Sequence, residues 1–491
     1  MTRGGEVEPD KNSKNIDRPE RNTKMKKNAI IYGSLTGSGI IENAIRRLSE
    51  ILLDYTGEYP MCFADDTPAV CSESRLFYIG TAATNPAISS RPESPKESEG
   101  YLITVEKDTV TVEGFDEAGV LYGCIDLYDK YLSKIEWTGR SDPYIRNPLD
   151  APLPDLCLAS SPGIRRRGLW TWGHVIYDIR GYIDNMMRLK MNTLIMWNEF
   201  PPLNSREIID YAHRAGIKVY FGFPWGWGTN CKKADMENLD ALSESVVEYY
   251  ESNYASIGCD GIYFQSFTEL NEERIGGVLV AEAVTDFVNK TAARIFEKHP
   301  SLDLQFGLHA SSVKNRLEYI SKTDPRITIV WEDCGAFPYN YLPNEVSDID
   351  RTVEFTERIT HLRGEGERFG AVLKGLTKLD WKAFEYPKGP YYIGVCSEKK
   401  AAERIARKKD IWRFLEAYWL SNADCAHRTV ATIGRETGGD CCLTALVEDG
   451  MFERRIHYPV ALLAEMLWDP FCDTRELVSR VALRDYITFE M

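Results

Sequence analysis

The sequence contains no apolar run of the roughly 18 residues that a membrane helix requires, so no bilayer-spanning segment is expected. It has no basic excess either. Lys and Arg number 59 against 74 Asp and Glu, a net charge of −15. That balance disfavours nucleic acids and anionic membranes as general partners, because both need a basic face. The opening stretch, MTRGGEVEPDKNSKNIDRPERNTKMKK, is charged throughout and holds no apolar segment of the signal-peptide kind. Residues 1–26 therefore read as a disordered tail, with Met25 as an alternative start. Twelve cysteines occur without any C-x-x-C spacing, and adjacent Cys441 and Cys442 cannot easily bridge to each other. Reduced thiols in a cytoplasmic protein are the expectation. No G-x-G-x-x-G follows the first strand and no G-x-x-x-x-G-K-[ST] occurs, which weighs against nucleotide folds. His174, His213, His309 and His361 form no H-x-x-x-H pair. No metal and no organic cofactor are expected. Oligomeric state cannot be read from these features.

What is present is an ordinary globular composition, 43% hydrophobic and 27% charged over 491 residues, with room for one large barrel beside a smaller unit. Residues 27–137 alternate strand and helix patterns. NAIIYG and RLFYIGTA are short apolar strands, GYLITVEKDTVTVEGF is a hairpin, and IIENAIRRLSEILLDYTG and DEAGVLYGCIDLYDKYLSKI carry helical spacing. This is a small α+β domain. A Pro- and Asp-rich stretch, 138–163, reads as a linker.

From 164 to 475 the pattern becomes strand then helix, repeated. Strands are expected near 168–173, 192–200, 218–228, 261–269, 303–311, 326–335, 368–375 and 442–450, each followed by a helical pattern. Strands apolar on both faces belong in a parallel sheet covered by helices. Eight such units specify an α/β (β/α)₈ TIM barrel preceded by a small α+β domain. Residues 476–491 are left as a C-terminal segment.

In such barrels chemistry sits at the C-terminal ends of the strands. Those ends carry Trp172, then Trp197 and Asn198, then Trp225 and Trp227, then Glu269, His309, Glu332 with Asp333, Lys374, and Glu448. Aromatic rings stack on the C–H faces of sugars, and carboxylates bind hydroxyls or exchange protons. Glycoside cleavage needs two carboxyl groups flanking the bond. Glu269, and Glu332 or Asp333, lie two strands apart around the mouth. An acidic residue ending a buried apolar strand is costly unless it is paired or wet. The blander readings are barrel-capping aromatics, a helix N-cap at Glu269, a salt bridge at Glu332–Asp333 and a plain turn at Glu448.

The stretch IRRRGLWTWGHVIYDIRGYIDNMMRLKMNTLIMW resembles the start of the barrel in family 20 glycoside hydrolases. Arg167, Gly168 and Leu169, then Leu189 to Asn192, match that family's R-G-L and LKMN segments. EGYLITV and DEAGVLYG resemble the small domain preceding the barrel in family 20 hexosaminidases and family 67 α-glucuronidases. The resemblance covers nearly all of 27–470. Family 20 enzymes carry an Asp-Glu pair at the end of strand four, and here Thr268 stands in the aspartate position before Glu269. The family 67 pattern is closer. It implies Glu269 as general acid and Glu332 or Asp333 as base, with Lys374 as a cationic partner for a uronate.

The expected protein is an exo-acting glycoside hydrolase, hexosaminidase-like or α-glucuronidase-like, acting on a small carbohydrate. Glu269, Glu332 and Asp333 are its catalytic candidates. Trp172, Trp197, Asn198, Trp225, Trp227, Tyr263, His309, Lys374 and Glu448 are its substrate-binding candidates. Two alternatives stay open: a metal-dependent sugar isomerase or lyase on the same barrel, with Glu199, Glu269, Glu332 and Asp333 as oxygen ligands, or a non-catalytic carbohydrate-binding protein.

Overall fold

The computed structural model describes residues 27–67, 74–88, 95–107, 109–134, 153–172, 175–198, 200–226, 238–267, 273–275, 277–309, 316–332, 349–364, 367–378, 385, 389–394 and 396–490.

Among the described residues, the small domain is one six-stranded sheet with two α-helices on it. Its elements are β1 (Lys27–Ile31), α1 (Ile40–Thr56), β2 (Met61–Phe63), β3 (Ser74–Gly80), β4 (Tyr101–Glu106), β5 (Thr109–Gly114), α2 (Glu117–Asp126) and β6 (Leu156–Ser160). The strand order is β2-β1-β3-β5-β4-β6. The hairpin forms as its alternation indicates, with Ile103 opposite Val112 and Val105 opposite Val110. The two helices bury Ile41, Leu48 and Leu52 from α1 and Val120 and Leu121 from α2. Asp116 caps α2 by accepting from the Gly119 amide at 2.9 Å.

One boundary needs correction. The expected linker 138–163 contains β6, which pairs antiparallel with β4 and closes the edge of the small sheet. Leu156 and Leu158 alternate with exposed Cys157 and Ala159. That is a half-buried edge strand, obscured in sequence by the prolines before it.

The barrel closes from eight parallel strands: β7 (Arg166–Trp172), β8 (Thr193–Trp197), β9 (Lys218–Gly222), β10 (Gly261–Phe264), β11 (Asp303–His309), β12 (Thr328–Glu332), β13 (Phe369–Leu376) and β14 (Cys441–Val447). Closure is completed where Thr444 of β14 sits beside Gly168 of β7. The helices between and after them are α3 (Ile179–Arg188), α4 (Ser205–Arg214), α5 (Leu239–Asn253), α6 (Val280–Lys298), α7 (Leu317–Ile320), α8 (Ile349–Thr360), α9 (Glu398–Ser421), α10 (Ala423–Glu436), α11 (Tyr458–Trp468) and α12 (Thr474–Ala482). Among the described residues, the connection from β13 to β14 thus carries two helices. Asn422 breaks the long stretch, and α10 was not read from the sequence.

Strand alternation sorts the side chains into two cores. Trp170, Ile195, Trp197, Tyr220, Tyr263, Val330, Val372 and Leu446 fill the inside of the barrel. Their neighbours along each strand, such as Leu169, Phe264 and Trp331, face the helices. At the N-terminal end of the lumen, Asp303 joins the Arg166 guanidinium at 3.4 Å and accepts from the Tyr220 hydroxyl at 3.1 Å.

The small domain docks through buried charge. Asp126, at the end of α2, accepts from Lys190 Nζ through both oxygens at 2.8 Å, and Lys130 lies 2.9 Å away. Burial alone raises the Asp126 pKa, but Lys130 and Lys190 outweigh it and hold the carboxyl well below its usual range. Burial brings Lys190 down to about 8 despite Asp126. Beside this pair, Glu99 meets Arg167 at 2.6 Å, and Tyr101 stacks on Trp468 with ring centroids 6.1 Å apart. The C-terminal segment adds Arg484, which bridges Asp129 of the small domain and Glu465 of α11. Removing one partner of a buried pair strands the other charge. Lys190→Met is therefore expected to lower stability by about 3–5 kcal/mol, measured by urea unfolding. Lys130→Met, at the wetter edge, should cost clearly less; equal losses would contradict the assignment of Lys190 as the principal partner.

Candidate functional site

The upper lumen is built by five strands, each supplying one or two inward side chains. β10 contributes Tyr263 and, one residue past its end, Gln265. β12 contributes Glu332, β13 Lys374, β7 Trp170 and β8 Trp197. All are buried; Glu332 and Tyr263 have no exposed surface, and Trp197 and Lys374 have 6% and 2%.

Glu332 is the hub. Its Oε1 accepts from the Tyr263 hydroxyl at 2.5 Å and from Gln265 Nε2, and its Oε2 accepts from Lys374 Nζ. Lys374 Nζ also lies 5.5 Å from the Trp170 ring centre. Tyr263 is held edge-on between Trp170 and Trp197, at centroid distances of 5.7 and 5.8 Å. Two glycines make the room. A Cβ at Gly307 of β11 would collide with the Tyr263 hydroxyl and come within 2.9 Å of Glu332 Oε1. A Cβ at Gly222 of β9 would come within 2.7 Å of Trp197 Cε3. A carboxylate receiving three donors, one of them cationic, acts as an acceptor on every side. Such a group suits a base, a nucleophile or an electrostatic anchor rather than a proton donor.

Among the expected residues, the structure brings Glu332, Lys374, Tyr263 and Trp197 into one cluster. Asn198 lies at its margin, with Nδ2 donating to the Tyr391 hydroxyl and its amide to the Gly222 carbonyl at 3.0 Å. Glu269, Asp333, Trp227 and Glu199 lie outside the described residues, as do the side chains of Trp172 and His309. Two expectations are corrected. Trp225 does not line the lumen: it is fully buried on the helix side of the sheet, stacked on Phe264 at 3.6 Å. Glu448 accepts from Lys408 Nζ at 2.6 Å and from the Lys378 amide at 3.1 Å, so its charge braces a loop. Gln265 was missed. Period-two alternation from inward Tyr263 marks it, since a polar residue on that face has to find a partner in the lumen.

The rim on the side of β13, β14 and β7 is a second charged network. Arg404 of α9 joins Glu453 at 2.5 Å and Glu385 at 2.9 Å, and stacks over Tyr177 at 3.4 Å. Glu453 in turn accepts from the Tyr177 and Asp178 amides at 2.8 and 3.2 Å. Burial raises Asp449 to about 6, against the opposing pull of Lys408. His457, packed at 5.2 Å from Trp412, is held down at about 4 by burial and by Arg455. Its Nδ1 stands 3.9 Å from Glu490, beyond hydrogen-bond reach, and the ring is neutral at pH 7. These groups tie three loops together and leave the lumen cluster as the candidate site.

No family model matches the chain, and no curated protein matches it in sequence. Solved structures do match. CpGH84B, a GH84 glycoside hydrolase, superposes with a TM-score of 0.54 at 12% identity, covering 93% of this chain and 70% of that one. A GH138 enzyme targeting pectin rhamnogalacturonan II gives 0.54 at 12%, covering 92% and 52%. A GH115 4-O-methyl-α-glucuronidase with specificity for decorated arabinogalactans gives 0.53 at 12%, covering 90% and 57%. The chain has the fold of glycoside hydrolase barrels. It spans little more than half the length of the last two.

Two outcomes test this geometry. Gly307→Ala should destabilise the protein by about 1–3 kcal/mol in urea unfolding through overpacking against Tyr263 and Glu332; an unchanged midpoint would mean that the lumen is looser than described. For His457, the folded value of about 4 lies below the ordinary 6.5. The unfolded chain therefore binds the extra proton between those values, and stability is full above 6.5 and falls as pH drops toward 4. Unfolding free energy followed over that window should lose about 3 kcal/mol more in the parent than in His457→Phe.

Proposed function

We propose that the protein is an exo-acting glycoside hydrolase working at the C-terminal mouth of the barrel. One observation carries this reading: a carboxylate, Glu332, ends an aromatic-walled lumen and is held by Lys374, Tyr263 and Gln265 in a fold shared with glycoside hydrolases. An ammonium and two neutral donors favour the ionised carboxylate. Glu332 is therefore assigned as the base that activates water or the nucleophile that attacks the anomeric carbon. Protonation of the leaving oxygen falls to Glu269, with Asp333 as the alternative to Glu332. Trp197 and Trp170 supply apolar faces for the sugar ring.

The finer choice of sugar is left to measurement. Thr268 in place of an aspartate argues against acetamido-assisted cleavage of the family 20 kind. A uronate, the substrate class of the GH115 neighbour, would compete with Glu332 for Lys374. The same ammonium sits where a divalent cation on Glu332 would need to be, which disfavours the metal-dependent isomerase or lyase. A second reading, a carbohydrate-binding protein without catalysis, is favoured by the full engagement of Glu332 with its donors.

A panel of aryl glycosides that includes N-acetylhexosaminides and glucuronides, run on the parent, Glu269→Gln and Glu332→Gln, separates these readings. Cleavage of one sugar is expected, with kcat down about 100-fold or more in Glu332→Gln. Glu269→Gln should lose most on natural linkages, whose leaving groups need the proton. Sugar binding without any cleavage would move the assignment to the binding protein.

A further inference from the structure

Gln265 has one amide atom accounted for and one not. Its Nε2 donates to Glu332 Oε1, whereas its Oε1 is buried and has no hydrogen-bond partner among the described residues. The residue is 1% exposed. The orientation of an amide is usually a matter of inference, because O and N look alike. Here chemistry decides it. Glu332 Oε1 also accepts from Tyr263, so turning the amide over would set its carbonyl oxygen against a carboxylate oxygen with no proton between them. The Glu332 carboxylate therefore directs the nitrogen toward itself and the oxygen away. A buried acceptor left without a donor is destabilising, and a native lumen retains such a cost where something else supplies the donor.

We propose that Gln265 is a substrate-binding residue whose Oε1 accepts a hydrogen bond from one hydroxyl of the sugar held against Trp197 and Trp170. The inference rests on the glycoside hydrolase reading of the same lumen. It makes the residue selective. A single fixed acceptor rewards a hydroxyl in one position and penalises a sugar that lacks it, because the acceptor is then buried unpaired. The two halves of one amide thus couple the charge of Glu332 to the seating of the substrate.

The test pairs a monodeoxy series of the best glycoside with the parent and Gln265→Met, reading both kcat/KM and direct sugar binding by calorimetry. In the parent, loss of one particular hydroxyl should cost about 10- to 100-fold while the other positions cost less. In Gln265→Met that penalty should collapse to within about threefold of unity, with the other positions unchanged. An equal penalty in both proteins overturns the assignment and leaves the hydrolase reading standing. Binding without cleavage overturns the hydrolase reading, and the calorimetric series still judges Gln265. A parent that neither binds nor cleaves any sugar overturns both. Should Gln265→Met fail to fold, a crystal structure of the parent with bound sugar replaces it; a hydroxyl farther than about 3.5 Å from Oε1 then sinks the proposal.

Discussion

Closing eight parallel strands leaves an interior just wide enough for side chains, and no inward residue can be placed without reference to those facing it. In this chain the constraint is tightest around Tyr263. Its ring is held between Trp170 and Trp197, and its hydroxyl reaches Glu332 only because Gly307 carries no side chain. Glu332 in turn needs the Lys374 ammonium, since a lone carboxylate without exposed surface would be costly to ionise. The candidate site is the uppermost layer of a packed core, and what its groups can do is set by what the layers beneath allow.

Charge buried away from the mouth does different work. Asp126 and Lys190 hold the small domain to the barrel, Arg484 ties the C-terminal segment to both, and Arg404 joins the loops around the rim. Arg484 and Arg404 each serve more than one carboxylate, and Lys190 meets both oxygens of one, which offsets the cost of taking these cations out of water. This explains why carboxylates at strand ends differ in meaning. Glu448 and Glu332 both end apolar strands, yet Glu448 meets a lysine from a helix outside the lumen, and Glu332 meets one across it.

Much of the fold was legible. All eight barrel strands were readable as apolar runs, and the hairpin of the small domain as alternation. What escaped were β6, masked by the prolines before it, and α10, which follows α9 after the single residue Asn422. At the site, residue type at a strand end identified Glu332, Lys374, Tyr263 and Trp197 as candidates. The same rule misplaced Trp225, because three residues beyond the end of β9 the chain can turn toward either face. Gln265 escaped because it lies inside the run that Glu269 was expected to end, where only its register with inward Tyr263 marks it.

By itself, then, the sequence determined the architecture and the set of residues near the mouth, since strand periodicity and helix spacing are local properties of the chain. Which of those residues meet was decided only by the tertiary structure. Tyr263, Glu332 and Lys374 are separated by 69 and 42 positions along the chain. Their contact depends on barrel register and on a glycine from an intervening strand, neither of which is encoded in any short stretch of sequence.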